Sequence, residues 1–264
     1  MYAFEYRRPT SLADAVAMLG QAEEGKILAG GQTLLPTLKQ RLARPTELID
    51  LSGVPELKGI REEDGGLFIG AFTRHAEVAA SDAVKRRIPA LAELAVHIGD
   101  RQVRALGTLG GSVANADPAA DYPAAVVALK ATVKTDKREI ACDDFFTGMF
   151  ETALDESELI TGVRFQVPDK AAYMKFRNPA SRYAMVGVFV ARFGNEVRVA
   201  VTGAGPSAFR VPDMEAALTK DFRPDALNGV AVSPQGLNGD IHASPEYRAH
   251  LVTVMAKRAV EACG

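Results

Sequence analysis

The stretch IGDRQVRALGTLGGSVANADPAADYP spans residues 98–123 and decides how the N-terminal half is interpreted. At its centre, Thr108–Ser112 forms a double-glycine turn with a hydroxyl side chain at each end. Glycines let a backbone approach a ligand closely, and successive N–H groups at the start of a helix suit phosphate oxygens. This turn therefore predicts an anion-binding loop.

A similar turn lies earlier in the chain, where residues 29–36 read AGGQTLLP. It follows a short predicted strand, Lys26–Ala29, and precedes a predicted helix, Thr33–Leu42, with leucines along one face. A Gly-Gly pair between a strand and a helix is commonly only a tight turn, so either turn alone is weak evidence. Two such loops in one domain predict a single ligand that carries two phosphate groups.

Three polar residues after the second turn are further candidates. Asn115, Asp117 and Asp121 could bind the hydroxyl groups of a ribose or ribityl chain. Asp117 precedes Pro118 and equally fits a helix N-cap, and the spacing leaves both interpretations open.

One motif resembles a nucleotide-binding fingerprint without fitting one. Residues 203–208 read GAGPSA and match G-x-G-x-x-A. The strand before them is predicted to pair antiparallel, and Pro206 and Pro212 interrupt the long helix that a dinucleotide fold requires. We therefore expect no Rossmann site there.

The composition argues against several classes of function. The chain has 264 residues, and 31 Lys and Arg against 33 Asp and Glu give a net charge of −2, so we expect no nucleic-acid partner. Cys142 and Cys263 are too few for an iron–sulfur cluster, and the four scattered histidines lack metal-ligand spacing, so we expect no bound metal. Neither a membrane-length apolar run nor a signal-peptide core in Met1–Pro9 is apparent. We expect a cytoplasmic protein whose membrane contact is at most peripheral.

The pattern of elements changes near residues 168–172. Before this point, helices and strands are mixed around the two glycine turns. After it, Tyr173–Arg177, Ala184–Phe193 and Glu196–Gly203 predict a three-stranded antiparallel meander, followed by helices over 213–220 and 244–263. This pattern predicts an α+β fold with domains at 1–170 and 171–264.

The two glycine turns, the run TLGGSVANADPAAD, ELITGVRF at 158–165 and YMKFRNPASRYAMVGV at 173–188 resemble the FAD-binding medium subunit of molybdenum hydroxylases. This family includes aerobic carbon monoxide dehydrogenase and xanthine dehydrogenase. The resemblance implies a PCMH-type (vanillyl-alcohol-oxidase-like) FAD-binding domain of two subdomains, about 1–55 and 56–170. It also implies a small C-terminal domain of the carbon monoxide dehydrogenase flavoprotein type, with the three-stranded sheet.

The same resemblance implies an FAD site. The residues carried over are Ile27, Leu28, Ala29, Gly30, Gly31, Gln32, Thr33 and Leu34, with Thr108, Gly110, Gly111 and Ser112, as a backbone cradle for the pyrophosphate; Asn115, Asp117 and Asp121 near the polyol or adenosine hydroxyls; and Ile160, Lys175 and Tyr183 near the isoalloxazine. No catalytic residue is implied. Tyr183 equally fits a half-buried strand aromatic without a cofactor role.

The resemblance implies an electron-transfer subunit of a molybdopterin-dependent oxidoreductase that is not self-sufficient. Its partners would be an iron–sulfur small subunit and a molybdopterin-binding large subunit, in a hetero-oligomer for which a dimer of heterotrimers is one arrangement. Electrons from substrate oxidation would pass through the iron–sulfur subunit to FAD and then to an external acceptor. Two alternatives stay open: a stand-alone FAD-dependent oxidoreductase, and a flavin-free scaffold subunit.

Overall fold

A computed structural model describes residues 1–264, and its first layer is a small parallel sheet. The elements are β1 (Glu5–Arg7), α1 (Leu12–Gln21), β2 (Gly25–Leu28), α2 (Leu34–Lys39) and β3 (Glu47–Asp50), with strand order β1-β3-β2. Ser11 is the N-cap of α1, since its Oγ accepts a hydrogen bond from the Asp14 N–H at 3.1 Å. Helix α2 is shorter than predicted, because Arg41 adopts the left-handed conformation with φ 61°.

The second layer is a five-stranded antiparallel sheet covered by helices. Its elements are β4 (Ile60–Glu63), β5 (Gly66–Gly70), α3 (His75–Ala80), α4 (Asp82–Arg87), α5 (Pro89–Val96), α6 (Arg101–Leu106), α7 (Leu109–Asn115), α8 (Tyr122–Ala128), β6 (Thr132–Thr135), β7 (Glu139–Ala141), α9 (Cys142–Phe145), the small hairpin β8 (Phe146–Gly148) and β9 (Glu151–Thr152), and β10 (Ile160–Phe165). The strand order is β4-β5-β10-β6-β7. A turn at Asp64–Gly66 joins β4 and β5, which pair antiparallel.

The third layer is an antiparallel sheet of four strands, and here the prediction of three was wrong. The elements are β11 (Lys170–Arg177), β12 (Ala184–Phe193), β13 (Glu196–Thr202), β14 (Phe209–Arg210), α10 (Pro212–Lys220) and α11 (Pro245–Ala262). The fourth strand has two residues, which pair with Ala200 and Val201 after the turn containing Gly203. A strand this short has no alternation to detect, so only the tertiary pairing reveals it.

Helix α8 connects the second and third layers, and every one of its residues is buried. The largest core cluster lines the five-stranded sheet and also includes Tyr173 and Phe189 from the third layer. A second cluster fills the space between the four-stranded sheet and α10 and α11. The division at residue 170 therefore stays a prediction, since apolar packing continues across it.

None of the helices has both the length and the apolar composition needed to cross a bilayer.

Candidate functional site

A cavity of about 1080 Å³ lies where the two glycine turns meet strand β11. Seventeen of the eighteen predicted site residues line it: Ile27, Ala29, Gly30, Gly31, Gln32, Thr33, Leu34, Thr108, Gly110, Gly111, Ser112, Asn115, Asp117, Asp121, Ile160, Lys175 and Tyr183. The exception is Leu28, whose side chain lies beside Gly31 and does not line the cavity. Segments far apart in the sequence thus form one site.

The two glycine turns touch backbone to backbone. A Cβ placed on Gly30 would lie 2.2 Å from the Leu106 carbonyl oxygen and 2.6 Å from Gly107 Cα. A Cβ on Gly107 would in turn lie 2.6 Å from Nε2 of the buried His75. A side chain at Gly30 would push the first turn away from Leu106 and Gly107, which lead into the second turn, and a side chain at Gly107 would collide with the His75 ring, so both positions require glycine.

The first turn supplies the free donors of the site. The backbone N–H groups of Gly30, Gly31, Gln32 and Thr33 donate to no main-chain carbonyl. Gly31 has φ 70°, and the Gln32 side-chain amide donates to the Gly30 carbonyl at 3.3 Å, which closes the turn. Successive free amides in such a turn suit an anion such as a phosphate group.

The second turn has a different role from the one predicted. Its amides are already bonded: Gly110 N–H donates to the Ala71 carbonyl at 2.8 Å, Gly111 N–H to Thr108 Oγ1 at 3.2 Å, and Ser112 N–H to the Thr108 carbonyl at 3.1 Å. The Thr108 hydroxyl is thus the N-cap of α7 and is buried. The prediction that these amides complete the pyrophosphate cradle is therefore revised: the second turn forms a wall against which the first turn packs.

Asp121 accepts hydrogen bonds from two side chains of the protein. Both carboxylate oxygens are occupied by protein donors, because Lys175 Nζ donates to Oδ2 at 2.9 Å and the Tyr173 hydroxyl donates to Oδ1. Burial raises the pKa of Asp121, while Lys175 and the Tyr173 hydroxyl oppose that rise. Asp121 lines the cavity as the counter-ion of Lys175, and its contact with a ligand hydroxyl stays a prediction.

Asn115 lies at the end of α7, and Asp117 lies in the loop after it. Asp117 Oδ1 accepts a hydrogen bond from the Ala119 N–H at 2.9 Å, which supports the local-turn interpretation. Burial raises the pKa of its carboxyl group. Asn115 is the last residue of α7 and lines the cavity.

Ile160 and Tyr183 both line the cavity, but Ile160 is buried and Tyr183 is exposed. Ile160 opens strand β10 and is 6% exposed, whereas Tyr183 is 47% exposed in the loop before β12. Tyr183 is about half-buried but lies one residue before β12 and so outside the strand, and its role beside the cofactor stays a prediction. Burial of part of its ring raises the pKa of the Tyr183 hydroxyl.

Positive charge is concentrated beside Lys175. Its Nζ also donates to the His97 carbonyl at 3.2 Å, and Arg177 Nη2 lies 2.6 Å from His97 Nδ1. Burial, together with the charges of Arg177, Lys175 and Arg104, lowers the pKa of His97. Because Asp121 offsets the charge of Lys175, the excess positive charge on this side of the site comes from Arg177 and Arg104, and it favours an anionic ligand.

Sequence reasoning missed several lining residues, among them Lys26, His75, Ile98, Arg182 and the segment 154–159. His75 is buried beneath the second turn, and burial lowers its pKa to about 4, so the ring is neutral near pH 7. Lys26 directly precedes Ile27, the first of the predicted site residues, so the same resemblance could have included it. Ile98, Arg182 and Glu158 lie inside the quoted motifs, but no pattern in the sequence marked them as site residues, and the fold brings them to the cavity.

Comparison with known proteins identifies the family. The sequence profile described as "FAD binding domain in molybdopterin dehydrogenase" matches residues 2–169. The chain belongs to this family. The match confirms FAD as the cofactor and the α+β fold class expected from the sequence.

Members of the FAD-binding molybdopterin dehydrogenase family resemble the chain over nearly its whole length. The carbon monoxide dehydrogenase medium chain of Hydrogenophaga pseudoflava is 37% identical, with 98% of this chain and 96% of that protein covered. The nicotine 6-hydroxylase medium subunit of Paenarthrobacter nicotinovorans is 35% identical over 99% and 98%. The structure of reconstituted CO dehydrogenase from Oligotropha carboxidovorans superposes with a TM-score of 0.92 at 33% identity, covering 99% and 98%. The chain is thus a flavoprotein component of the oxidoreductase type that these relatives represent.

The residues of the cavity fit the cofactor of this family. The free amides of Gly30–Thr33 suit a pyrophosphate, and the glycine contact keeps side chains out of that cradle. The cavity volume exceeds the roughly 300–1,000 Å³ typical of drug-sized ligands, which leaves space for a dinucleotide.

Proposed function

We propose that this chain is the electron-transfer subunit of a molybdenum hydroxylase and passes electrons from an iron–sulfur subunit through FAD to an external acceptor. The observation that carries the proposal is the contact between the two glycine turns, which presents four free amides to a dinucleotide-sized cavity. Relatives that match over the whole chain are named medium chains or medium subunits, which supports a place in a multi-subunit enzyme.

The chain's own residues would hold the cofactor in three ways. The Gly30–Thr33 amides would bind the pyrophosphate, and the free hydroxyl of Ser112 on the second turn would add a donor. Lys175 would provide a fixed positive charge on the cavity wall, favouring added negative charge on the cofactor. Tyr183 at the mouth would cover the flavin ring and limit its contact with water.

FAD, when bound, supplies the ability to exchange electrons singly or in pairs. Among the lining residues, His75 is neutral and buried, and Asp121 is neutralised by Lys175. Other carboxylates also line the cavity, and Asp100, Asp155 and Glu156 among them are exposed. The division of labour, in which substrate is oxidised on another subunit, is supported by the match to medium chains and medium subunits over nearly the whole chain.

Two partners would complete the enzyme. A molybdopterin-binding large subunit would oxidise the substrate, and an iron–sulfur small subunit would relay the electrons to this chain. Cys142 is buried inside the fold and Cys263 lies at the end of α11, so a cluster would need thiolates from another chain.

The first experiment is FAD titration of the purified full-length chain, followed by its visible spectrum. We expect saturable binding with one FAD per chain and a flavin absorption band. A chain that stays colourless and takes up no FAD would overturn the proposal. Co-expression with candidate iron–sulfur and molybdopterin subunits then tests the partners, and purification of this chain alone under those conditions would count against them.

A further inference from the structure

Tyr173 lies behind the Asp121–Lys175 ion pair and was not among the predicted site residues. Its side chain is 3% exposed, and its hydroxyl donates to Asp121 Oδ1 while Lys175 Nζ donates to the other oxygen. Tyr173 and Lys175 are two positions apart on β11, so both side chains lie on the same face of the strand. The carboxylate is therefore held between two donors from one strand.

Gly187 provides the space that the Tyr173 hydroxyl needs. It is the cross-strand partner of Lys175, and a Cβ there would lie 2.3 Å from Tyr173 Oη. The Tyr173 ring also stacks on Phe189, its own cross-strand partner, with centroids 6.1 Å apart. The sheet thus fixes the Tyr173 ring on one side and leaves a gap for its hydroxyl on the other.

Lys175 is the group that this arrangement orients. An ammonium group has three donors. Two of them bind Asp121 Oδ2 at 2.9 Å and the His97 carbonyl at 3.2 Å, and the side chain is only 2% exposed. One donor remains available to the cavity that Lys175 lines. Its direction depends on the position of the Asp121 carboxylate.

We infer that Tyr173 is a positioning residue: by holding one oxygen of Asp121 it fixes the other, and so orients the Lys175 ammonium toward the cofactor cavity. This inference rests on the proposed function, because it assumes that FAD occupies the cavity. A mobile carboxylate would leave the His97 carbonyl as the only fixed partner of Lys175, so the ammonium would lose its orientation toward the cavity.

The arrangement predicts a dependence of FAD binding on pH. Protonation of Asp121 removes the negative charge that holds Lys175, so FAD affinity falls on acidification. The charged and titratable groups around the pair are Tyr173, Lys175 and Arg177 on β11, His97 after α5, Arg104 on α6, Asp117 before α8, Tyr122 on α8, and Tyr183. Donation from the Tyr173 hydroxyl favours the ionised form of Asp121.

Tyr122 supplies a matched control. It is fully buried, it directly follows Asp121 in the chain, and its hydroxyl has no hydrogen-bond partner. Tyr122→Phe and Tyr173→Phe thus each remove one buried tyrosine hydroxyl from this part of the core. Only the second removes a hydrogen bond to Asp121.

The test is the dissociation constant of FAD for the full-length apoprotein as a function of pH, measured by flavin fluorescence. We expect Tyr173→Phe to move the acidic loss of affinity upward by about one to two pH units, the size of a charge-assisted hydrogen bond. Gly187→Ala, which displaces the hydroxyl, should shift it in the same direction. Tyr122→Phe should overlay the wild-type profile, and Asp121→Asn should lack the acidic loss.

The outcomes separate the two proposals. If the wild type binds no FAD at any pH, the proposed function fails and this inference fails with it. If the wild type binds FAD but Tyr173→Phe and Tyr122→Phe give the same profile, the function stands and the positioning role is refuted. Persistence of the acidic loss in Asp121→Asn would also refute it, because the titrating group would then be another residue.

Discussion

Replacing Gly30 by alanine tests the contact between the two glycine turns directly. The new Cβ would lie 2.2 Å from the Leu106 carbonyl oxygen and 2.6 Å from Gly107 Cα. Ordinary contacts begin near 3.4 Å, so the turns would have to separate by about 1.2 Å at this point. Both neighbours are backbone atoms, which cannot rotate away as a side chain could.

Overpacking of this kind typically costs about 1–3 kcal/mol, and rigid neighbours put Gly30→Ala in the upper part of that range. If the free chain relieves the strain by opening the turns, FAD binding must restore their spacing. A cost of about 2–3 kcal/mol then raises the dissociation constant about 30- to 150-fold. If the turns stay together, the same cost instead lowers the free energy of unfolding.

The assay is FAD titration together with urea unfolding of the apoprotein. Gly20→Ala is the control, because Gly20 lies in α1 with no neighbour within 4 Å of its added Cβ. We expect the control to bind FAD normally and to gain up to about 1 kcal/mol of stability from helix propensity. Wild-type affinity and wild-type stability in Gly30→Ala would refute the close contact.

Three further predictions follow from individual contacts. Thr108→Ala removes the N-cap of α7 and should cost about 1 kcal/mol in urea unfolding, while FAD affinity changes less than twofold to threefold because the hydroxyl is buried and acts as the acceptor of the helix cap; a large loss of affinity without destabilisation would contradict this role. Tyr183→Ala should weaken FAD binding by about 1 kcal/mol, roughly fivefold, and leave the melting temperature of the apoprotein unchanged, since the side chain is largely exposed; equal affinity would remove Tyr183 from the site. Hydrogen bonds from Arg138 lower the pKa of the buried Glu158 to about 2, from an ordinary value of 4.5, so the ionised form is favoured in the folded state. Arg138→Gln should therefore be less stable than wild type at pH 7, and the difference should shrink as the pH falls from 4.5 toward 2; a difference that does not depend on pH would contradict the pairing.

Local sequence signals predicted much of the fold because they act over a few residues. The N-caps at Ser11 and Ser244 are both present, and the Asp64–Gly66 turn joins its two strands. Boundaries were less accurate where the conformation of one residue ended an element, as Arg41 does after α2. The two-residue strand β14 gave no periodic signal and was missed.

The sequence predicted which residues line the candidate site, but it did not predict which hydrogen bonds those residues make. Nearly all predicted residues line the cavity, because the family resemblance rests on the segments that form it. Which amides are free was not predictable, since the Gly110 amide is bonded to Ala71 in another part of the chain. The hydrogen bonds from Tyr173 and Lys175 to Asp121 were not predictable either, because these residues lie far from Asp121 in the sequence.

The sequence alone determined the family, the cofactor and the places where the backbone must come close to a ligand, because glycine pairs and capping residues express short-range stereochemistry. The tertiary structure decided which donors remain free and which charge faces which. Asp121 meets Tyr173 and Lys175 from 52 and 54 positions away, and Lys175 meets the His97 carbonyl from 78. Such contacts depend on how strand β11 packs against α5 and α8, and the hydrogen-bonding capacity of a residue is settled only when every neighbour is in place.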